Sequence, residues 1–323
     1  MNRAGKVPSA TTFELGDGIT AIDTEYVRPL HDASHLLVDS GSAAFVDTGT
    51  NDSVPLLLDA LARKAVDPAD VRYVFLTHVH LDHAGGAGEL MRHLPNARAV
   101  LHPRGARHMI DPTKLVQGSI AVYGEQAFRE LYGEIRPIPA ERVEVAADGQ
   151  AFRLGSRELT CLHTEGHARH HYCLWDPASS GVFTGDSFGI SYRELDTDAG
   201  AFIFPTTTPV QFDPDEAHKS IDRIMSFAPE RAYLTHFSEV RDLPRLAADL
   251  HRRIDGFVAI ARRHADAADR TRAMREALFG YMQAELEAHG FRPGEARLHE
   301  LLDADVRLNT MGLEHWLDHG GRQ

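Results

Sequence analysis

Cysteine is almost absent from this chain: Cys161 and Cys173 are the only two in 323 residues. So few thiols cannot build a disulfide scaffold, and a reducing compartment is expected, with both cysteines as inert buried thiols. Apolar runs are short. None approaches the roughly 18 residues of a membrane-spanning helix. The opening MNRAGKVPSA holds no apolar stretch of the kind a secretory signal needs, so a cytoplasmic location is expected. Basic residues are outnumbered, 34 against 47 acidic, for a formal charge of −13, and no Lys/Arg-rich segment occurs. Such a surface repels phosphate backbones, so neither nucleic acid nor a membrane is an expected partner. Repeats and low-complexity tracts are missing too.

What remains is an ordinary globular composition, 43% hydrophobic and 25% charged, which excludes a disordered, collagen-like or coiled-coil chain. The length allows two domains of roughly 150 residues, or one large α/β layer fold with additions. Histidine is the abundant residue, with 20 copies. It is the commonest metal ligand and titrates near neutrality.

Short runs rich in β-branched residues predict strands at 19–27, 35–38, 43–46, 71–76, 99–101, 159–162, 172–175, 181–184 and 231–234. Helical spacing fills 53–65. Asp213-Pro214-Asp215-Glu216 has the form of a helix start, with Asp213 as cap, and the helix should run to about Phe227. A helical block is expected between Pro103 and Tyr132. Strands alternating with helices argue for α/β layers. After about Val240 the texture becomes helical. Leu243, Leu246, Leu250, Ile254, Phe257 and Ala261 mark one face of a long helix, and Met274 to Leu286 a second, ended by Gly290. A strand signal returns only at Val306.

The stretch Val74-Phe75-Leu76-Thr77-His78-Val79-His80-Leu81-Asp82-His83-Ala84-Gly85-Gly86 carries chemistry. An apolar strand runs straight into three imidazoles and a carboxylate. On one strand or helix face they cannot converge; in a strand-to-helix loop they can. Grouped at the end of a buried strand, they would cost desolvation energy unless something occupied their centre.

H-x-H-x-D-H after a strand resembles the metallo-β-lactamase fold superfamily, which includes glyoxalase II-like thioesterases, lactonases, nucleases and oxygen-using iron enzymes. Further motifs match in order: Asp47-Thr48-Gly49, His167 in His163-Thr164-Glu165-Gly166-His167, Asp186 in Phe183-Thr184-Gly185-Asp186-Ser187, and His236 in Tyr233-Leu234-Thr235-His236. The resemblance implies an α/β fold, the four-layer αβ/βα metallo-β-lactamase sandwich, over residues 12–240. A helical insertion and a helical C-terminal region, 241–323, packed on that core, complete the expected organisation. It also implies two divalent ions, zinc foremost, with iron or manganese also suited to such ligands. His78, His80 and His167 would hold one ion; Asp82, His83 and His236 the other; Asp186 would bridge. Asp47 would support an imidazole from behind. A bridging hydroxide would be the nucleophile. Asp82 would move a proton to or from the reacting groups.

Other residues are weighed against plainer roles. His171 aligns with a second histidine of glyoxalase-like members and is read as structural, although Ala168-Arg169-His170 departs from the usual spacer. Phe188, Tyr192, Arg193, Phe202, Phe204 and Phe212 are candidates for one pocket wall, with Arg193 for a substrate carboxylate and Tyr192 for an oxyanion. The alternative is packing for the aromatics and surface for Arg193. Tyr123 and Tyr132 are weaker candidates. His31 and His35 are read as ordinary surface or core residues, His102 and His108 as residues of the helical insertion. His251, His264, His289, His299, His315 and His319 are read as solvated.

The leading expectation is a dinuclear metal-dependent hydrolase of a small-molecule thioester, ester or lactone. The alternative is a non-haem iron redox enzyme of the same fold, persulfide dioxygenase-like or diiron oxygen-reducing. A nuclease and a binding module with a vestigial site are the remaining classes. The partner is a small-molecule substrate. A homodimer through the helical part is an option the sequence leaves open.

Overall fold

The computed structural model describes residues 9–207 and 210–321. The reading that residues 1–8 begin no secretory signal lies outside them. The chain forms two compact units. The first takes Met1–His163, His170–Gly185 and Arg231–Glu239; the second takes Thr164–Arg169, Asp186–Glu230 and Val240–Gln323.

The first unit opens with four antiparallel strands, β1 (Thr12–Gly16), β2 (Ile19–Asp23), β3 (Ala33–Asp39) and β4 (Ser42–Val46). Helix α1 (Val54–Arg63) leads to β5 (Val71–Leu76). The short helices α2 (Leu81–Ala84) and α3 (Ala87–His93) lead to β6 (Arg98–Leu101). Three helices follow, α4 (Pro103–Ile110), α5 (Thr113–Tyr123) and α6 (Glu125–Tyr132), and then β7 (Val143–Val145). These strands make one seven-stranded sheet in sequence order, parallel from β4 onward. A second sheet holds β8 (Ala151–Leu154), β9 (Arg157–His163), β10 (Tyr172–Asp176), β11 (Gly181–Gly185), β12 (Arg231–Leu234) and β13 (Ser238–Val240). Its order runs from β13 to β8, with β11 and β12 parallel.

The alternation of β5 shows why the sheets pack as they do. Val74 and Leu76 join an apolar cluster with Leu57 and Leu61 of α1 and Leu90 and Met91 of α3. Phe75, one residue between them, points to the opposite face. There it packs with Phe152, Leu159, Tyr172, Phe183 and Tyr233 from the second sheet. Burying each such side chain contributes about 1.5–3 kcal/mol. Both layers of the expected α/β sandwich are therefore written into one six-residue strand.

The second unit is built on α7 (Pro214–Ser226), α8 (Leu243–His264), α9 (Arg270–Ala288) and α10 (Glu295–Trp316). Asp213 caps α7 by accepting from the Glu216 amide at 3.2 Å, as its sequence predicts. All six residues of the expected α8 stripe are buried. Val306 is a correction: it sits inside α10, where Leu298, Leu302, Val306 and Leu313 share a buried face at helical spacing. The strand expected over 19–27 also stops early. Glu25 and Val27 adopt positive φ, at 54° and 59°, which no strand tolerates. No helix among the described residues is long and apolar enough to cross a membrane.

Candidate metal centre

The parallel pair β4 and β5 delivers its next residues to the same sheet edge, the end at which α/β folds place ligands. Asp47 follows β4 and turns with φ 55°. Its buried carboxylate accepts from the Thr77 amide at 2.9 Å, from Thr77 Oγ1 at 2.8 Å and from Thr235 Oγ1 at 2.8 Å. It also lies 2.9 Å from His83 Nδ1. Thr48 fastens the same turn from the other side, its amide and hydroxyl donating to the His83 carbonyl at 2.7 and 2.9 Å. Asp47 thus ties together the residues after β4, β5 and β12.

His236 follows β12, and a second buried carboxylate holds it. Asp32 Oδ1 lies 2.6 Å from His236 Nδ1 and 2.5 Å from His31 Nδ1. Burial alone would raise the Asp32 carboxyl; His236 and His31 outweigh it and hold the group well below the ordinary carboxylate range. With both Nδ1 atoms committed to carboxylates, His83 and His236 present Nε2 toward Asp82. Asp82 Oδ2 lies 3.5 Å from the first and 3.6 Å from the second. One ligand atom from each residue falls within 4.8 Å of the others. Two imidazoles and a carboxylate so arranged fit a first-row divalent ion, because outer carboxylates fix the tautomer that ligation requires.

His78 and His80 lie in the same unit. His78 Nε2 is 2.9 Å from His80 Nδ1. The His171 ring stacks on His78, centroids 4.8 Å apart, and is fully buried. Gly185 makes room for it, since a Cβ there would stand 2.6 Å from His171 Nε2 and from Thr77 Oγ1.

The second unit carries His167 and Asp186. His167 Nε2 lies 3.3 Å from Asp186 Oδ2, and His167 Nδ1 lies 3.3 Å from the Thr206 carbonyl. The loop before His167 is pinned to α7: Gly166 accepts from the Asp213 amide at 2.8 Å, and its φ of 121° brings it so close to Ala217 that no side chain fits. A narrow, solvent-open cleft adjoins these two residues, with Phe212, Ile221, Leu250 and Ile254 as apolar wall.

That wall corrects the sequence expectation. Phe188, Tyr192 and Phe202 are fully buried in packing and do not line this cavity. Tyr192 donates to Asp305 at 3.3 Å, and the Arg253 guanidinium covers the Phe202 ring. Arg193 donates to the Ser191 carbonyl at 2.7 Å and pairs with Asp196 at 3.3 Å. Of that group only Phe212 lines the cavity, and Ile221, Leu250 and Ile254 join it from α7 and α8. Tyr132 shares a hydrogen bond of 2.8 Å with Tyr26, and burial raises both phenols above their ordinary value. His35 is buried between Phe183 and Tyr233, and burial pushes it down to about 4. His102 caps α4 and lies against His163, the rings tilted at 49° with centroids 4.1 Å apart, and burial likewise lowers it to about 4.

Asp32 is a residue of the candidate site that sequence reasoning misses. It belongs to no motif. Only the register that joins the Ala33 amide to the Thr235 carbonyl, at 2.7 Å, brings it beside His236.

A family model described as Metallo-beta-lactamase superfamily matches residues 27–236. The chain is 26% identical to the metallo-beta-lactamase fold-containing protein ST1585 of Sulfurisphaera tokodaii over 51% of this chain and 59% of that one. It is 31% identical to the acyl-coenzyme A thioesterase MBLAC2 of Bos taurus over 53% of this chain and 64% of that one. It is 29% identical to a hydroxyacylglutathione hydrolase of a Synechococcus strain over 52% and 51%. The chain thus spans less than two-thirds of the length of each. The crystal structure of ST1585 superposes with a TM-score of 0.64 at 19% identity, covering 92% of this chain and 98% of that one, so the fold is shared.

Proposed function

The chain belongs to the metallo-β-lactamase superfamily, and from that premise we propose that it is a dinuclear metal-dependent hydrolase of small-molecule acyl bonds. Thioesters are the first class to test, with esters and lactones next. One observation carries the reading: His83, His236 and Asp82 turn their ligand atoms to a common point while Asp47 and Asp32 hold the imidazoles from behind. Two relatives that match about half of the chain are named for thioester or acyl-glutathione hydrolysis, which supports the acyl class. The other ligands enter on their motifs alone: His78, His80 and His167 for the second ion, with Asp186 shared. Zinc is the proposed metal, on the donor set of nitrogen and carboxylate oxygen.

When bound, the ions supply a nucleophilic water near neutral pH and polarise the carbonyl under attack. The protein's own part is orientation and proton movement. Asp47 and Asp32 keep Nε2 of His83 and His236 as the ligating atoms. Asp82, 21% exposed at its side chain, reaches solvent and is placed to take the proton from the attacking water and return it to the departing group. In a thioester, water adds to the acyl carbon, the C–S bond breaks, and the proton leaves with the thiol. The test is a panel of acyl-coenzyme A, acyl-glutathione, aryl ester and lactone substrates on zinc-loaded enzyme. Turnover of a thioester supports the reading; inertness toward every member overturns it.

A further inference from the structure

The second unit holds another set of metal-type side chains on two neighbouring helices. Helix α7 carries His218 and, one turn on, Asp222; helix α8 carries His251 and, one turn on, Asp255. The i, i+4 spacing puts each pair on one helix face. The pairs are cross-connected. His218 Nε2 lies 3.2 Å from Asp255, and His251 Nε2 lies 3.2 Å from Asp222. The two Nδ1 atoms then meet at 2.6 Å, with the rings stacked at an interplanar angle of 10°. His251 is therefore not the solvated residue its sequence suggests: its side chain is 30% exposed, and that of His218 26%.

The carboxylates decide the chemistry of the rings. His218 Nε2 hydrogen-bonds the Asp255 carboxylate, and the Asp222 carboxylate faces His251 Nε2 at 3.2 Å, which favours a proton on Nε2 of each ring. A neutral imidazole with its proton on Nε2 has a bare lone pair on Nδ1. Two such lone pairs 2.6 Å apart repel unless a cation sits with them. The rivals are one shared proton and a metal ion.

We infer that His218 and His251 form a divalent-metal site of zinc type, separate from the candidate centre. Carboxylate, imidazole, cation, imidazole and carboxylate in a row is the arrangement by which outer carboxylates orient ligating histidines. The two carboxylates make the surroundings of the ring pair acidic, in a chain of net charge −13, which favours a cation there. The nearby Lys219 is engaged with Glu216 at 2.7 Å. Zinc–nitrogen bonds of about 2.0–2.1 Å at a tetrahedral centre set the two nitrogens about 3.3 Å apart. The rings must part by roughly 0.7 Å to reach that, a small adjustment for side chains partly in solvent. The two imidazoles are the only protein ligands, water fills the remaining positions, and the ion links α7 to α8.

The test is a zinc titration of the metal-stripped full chain by calorimetry, with elemental analysis after dialysis. Wild type should take up one more zinc per chain than His251→Asn or His218→Asn. Hydrolytic activity should be the same in all three. Asp255→Asn should keep the extra ion but bind it about 10–100-fold more weakly. Circular dichroism verifies that each variant is folded, and the two histidine variants serve as independent checks. Equal zinc uptake by wild type and both variants would mean that the pair holds only a proton, and would overturn the site.

Discussion

Asp32 grips His236 through its Nδ1 at 2.6 Å. It lies outside every motif and still fixes which nitrogen of His236 is left for a metal. Its other contact, His31 at 2.5 Å, keeps the carboxylate in place, and it is fully buried. Asp32→Asn retains the shape and loses the charge. Metal affinity should fall about 10–100-fold, the usual cost of removing such an outer partner. Competition with a chromophoric chelator measures this, and an unchanged affinity would remove Asp32 from the account.

Asp47 makes a larger structural contribution. Four donors converge on it, from Thr77 (amide and hydroxyl), Thr235 and His83. Asp47→Ala strands them in a buried site, at roughly 1–3 kcal/mol for each donor left unsatisfied. We expect a loss of about 3 kcal/mol or more in urea unfolding of the metal-free chain. A change below about 1 kcal/mol would mean that water replaces the carboxylate freely.

The ligand proposal is tested at His80 and Asp186. His80→Ala and Asp186→Ala should each lose metal and hydrolysis together, as judged by elemental analysis and turnover on one preparation. Full activity in Asp186→Ala would rule out the dinuclear mechanism.

Much of this was legible in the sequence, for physical reasons. Strand β5 announces itself because Val74, Phe75 and Leu76 are apolar on both faces, as a doubly covered strand must be. The cap at Asp213 and the stripe from Leu243 to Ala261 are local patterns, and the structure bears both out. Strands β1, β7 and β8 were not legible. The first has no fully buried residue, and the others span three and four residues. Asp32 beside His236, and His218 beside His251, are long-range pairings that no spacing rule reaches. The aromatic residues after Asp186 misled because size and position alone do not separate a pocket wall from packing. Only the cover supplied by Asp305 and Arg253 does that.

His35 gives the protein a pH dependence of known sign. Burial depresses its folded pKa to about 4, against an ordinary 6.5. Below pH 6.5 the unfolded chain takes up a proton that the folded chain refuses until about pH 4. The stabilising effect is therefore complete above 6.5 and drains away as the pH falls toward 4, by up to about 1.4 kcal/mol per pH unit. His102, depressed in the same direction, adds to the trend. Urea unfolding at several pH values should show a shallower acid slope in His35→Leu than in wild type; identical slopes would refute the assignment.

The most direct test of the central claim is thioester hydrolysis by a single preparation, followed through metal removal and return. Acyl-coenzyme A cleavage should vanish on chelation and return as zinc is restored, with His83→Ala and His236→Ala inactive throughout. Hydrolysis that survives complete metal removal, or a fully zinc-loaded enzyme that cleaves no acyl bond, would contradict the account.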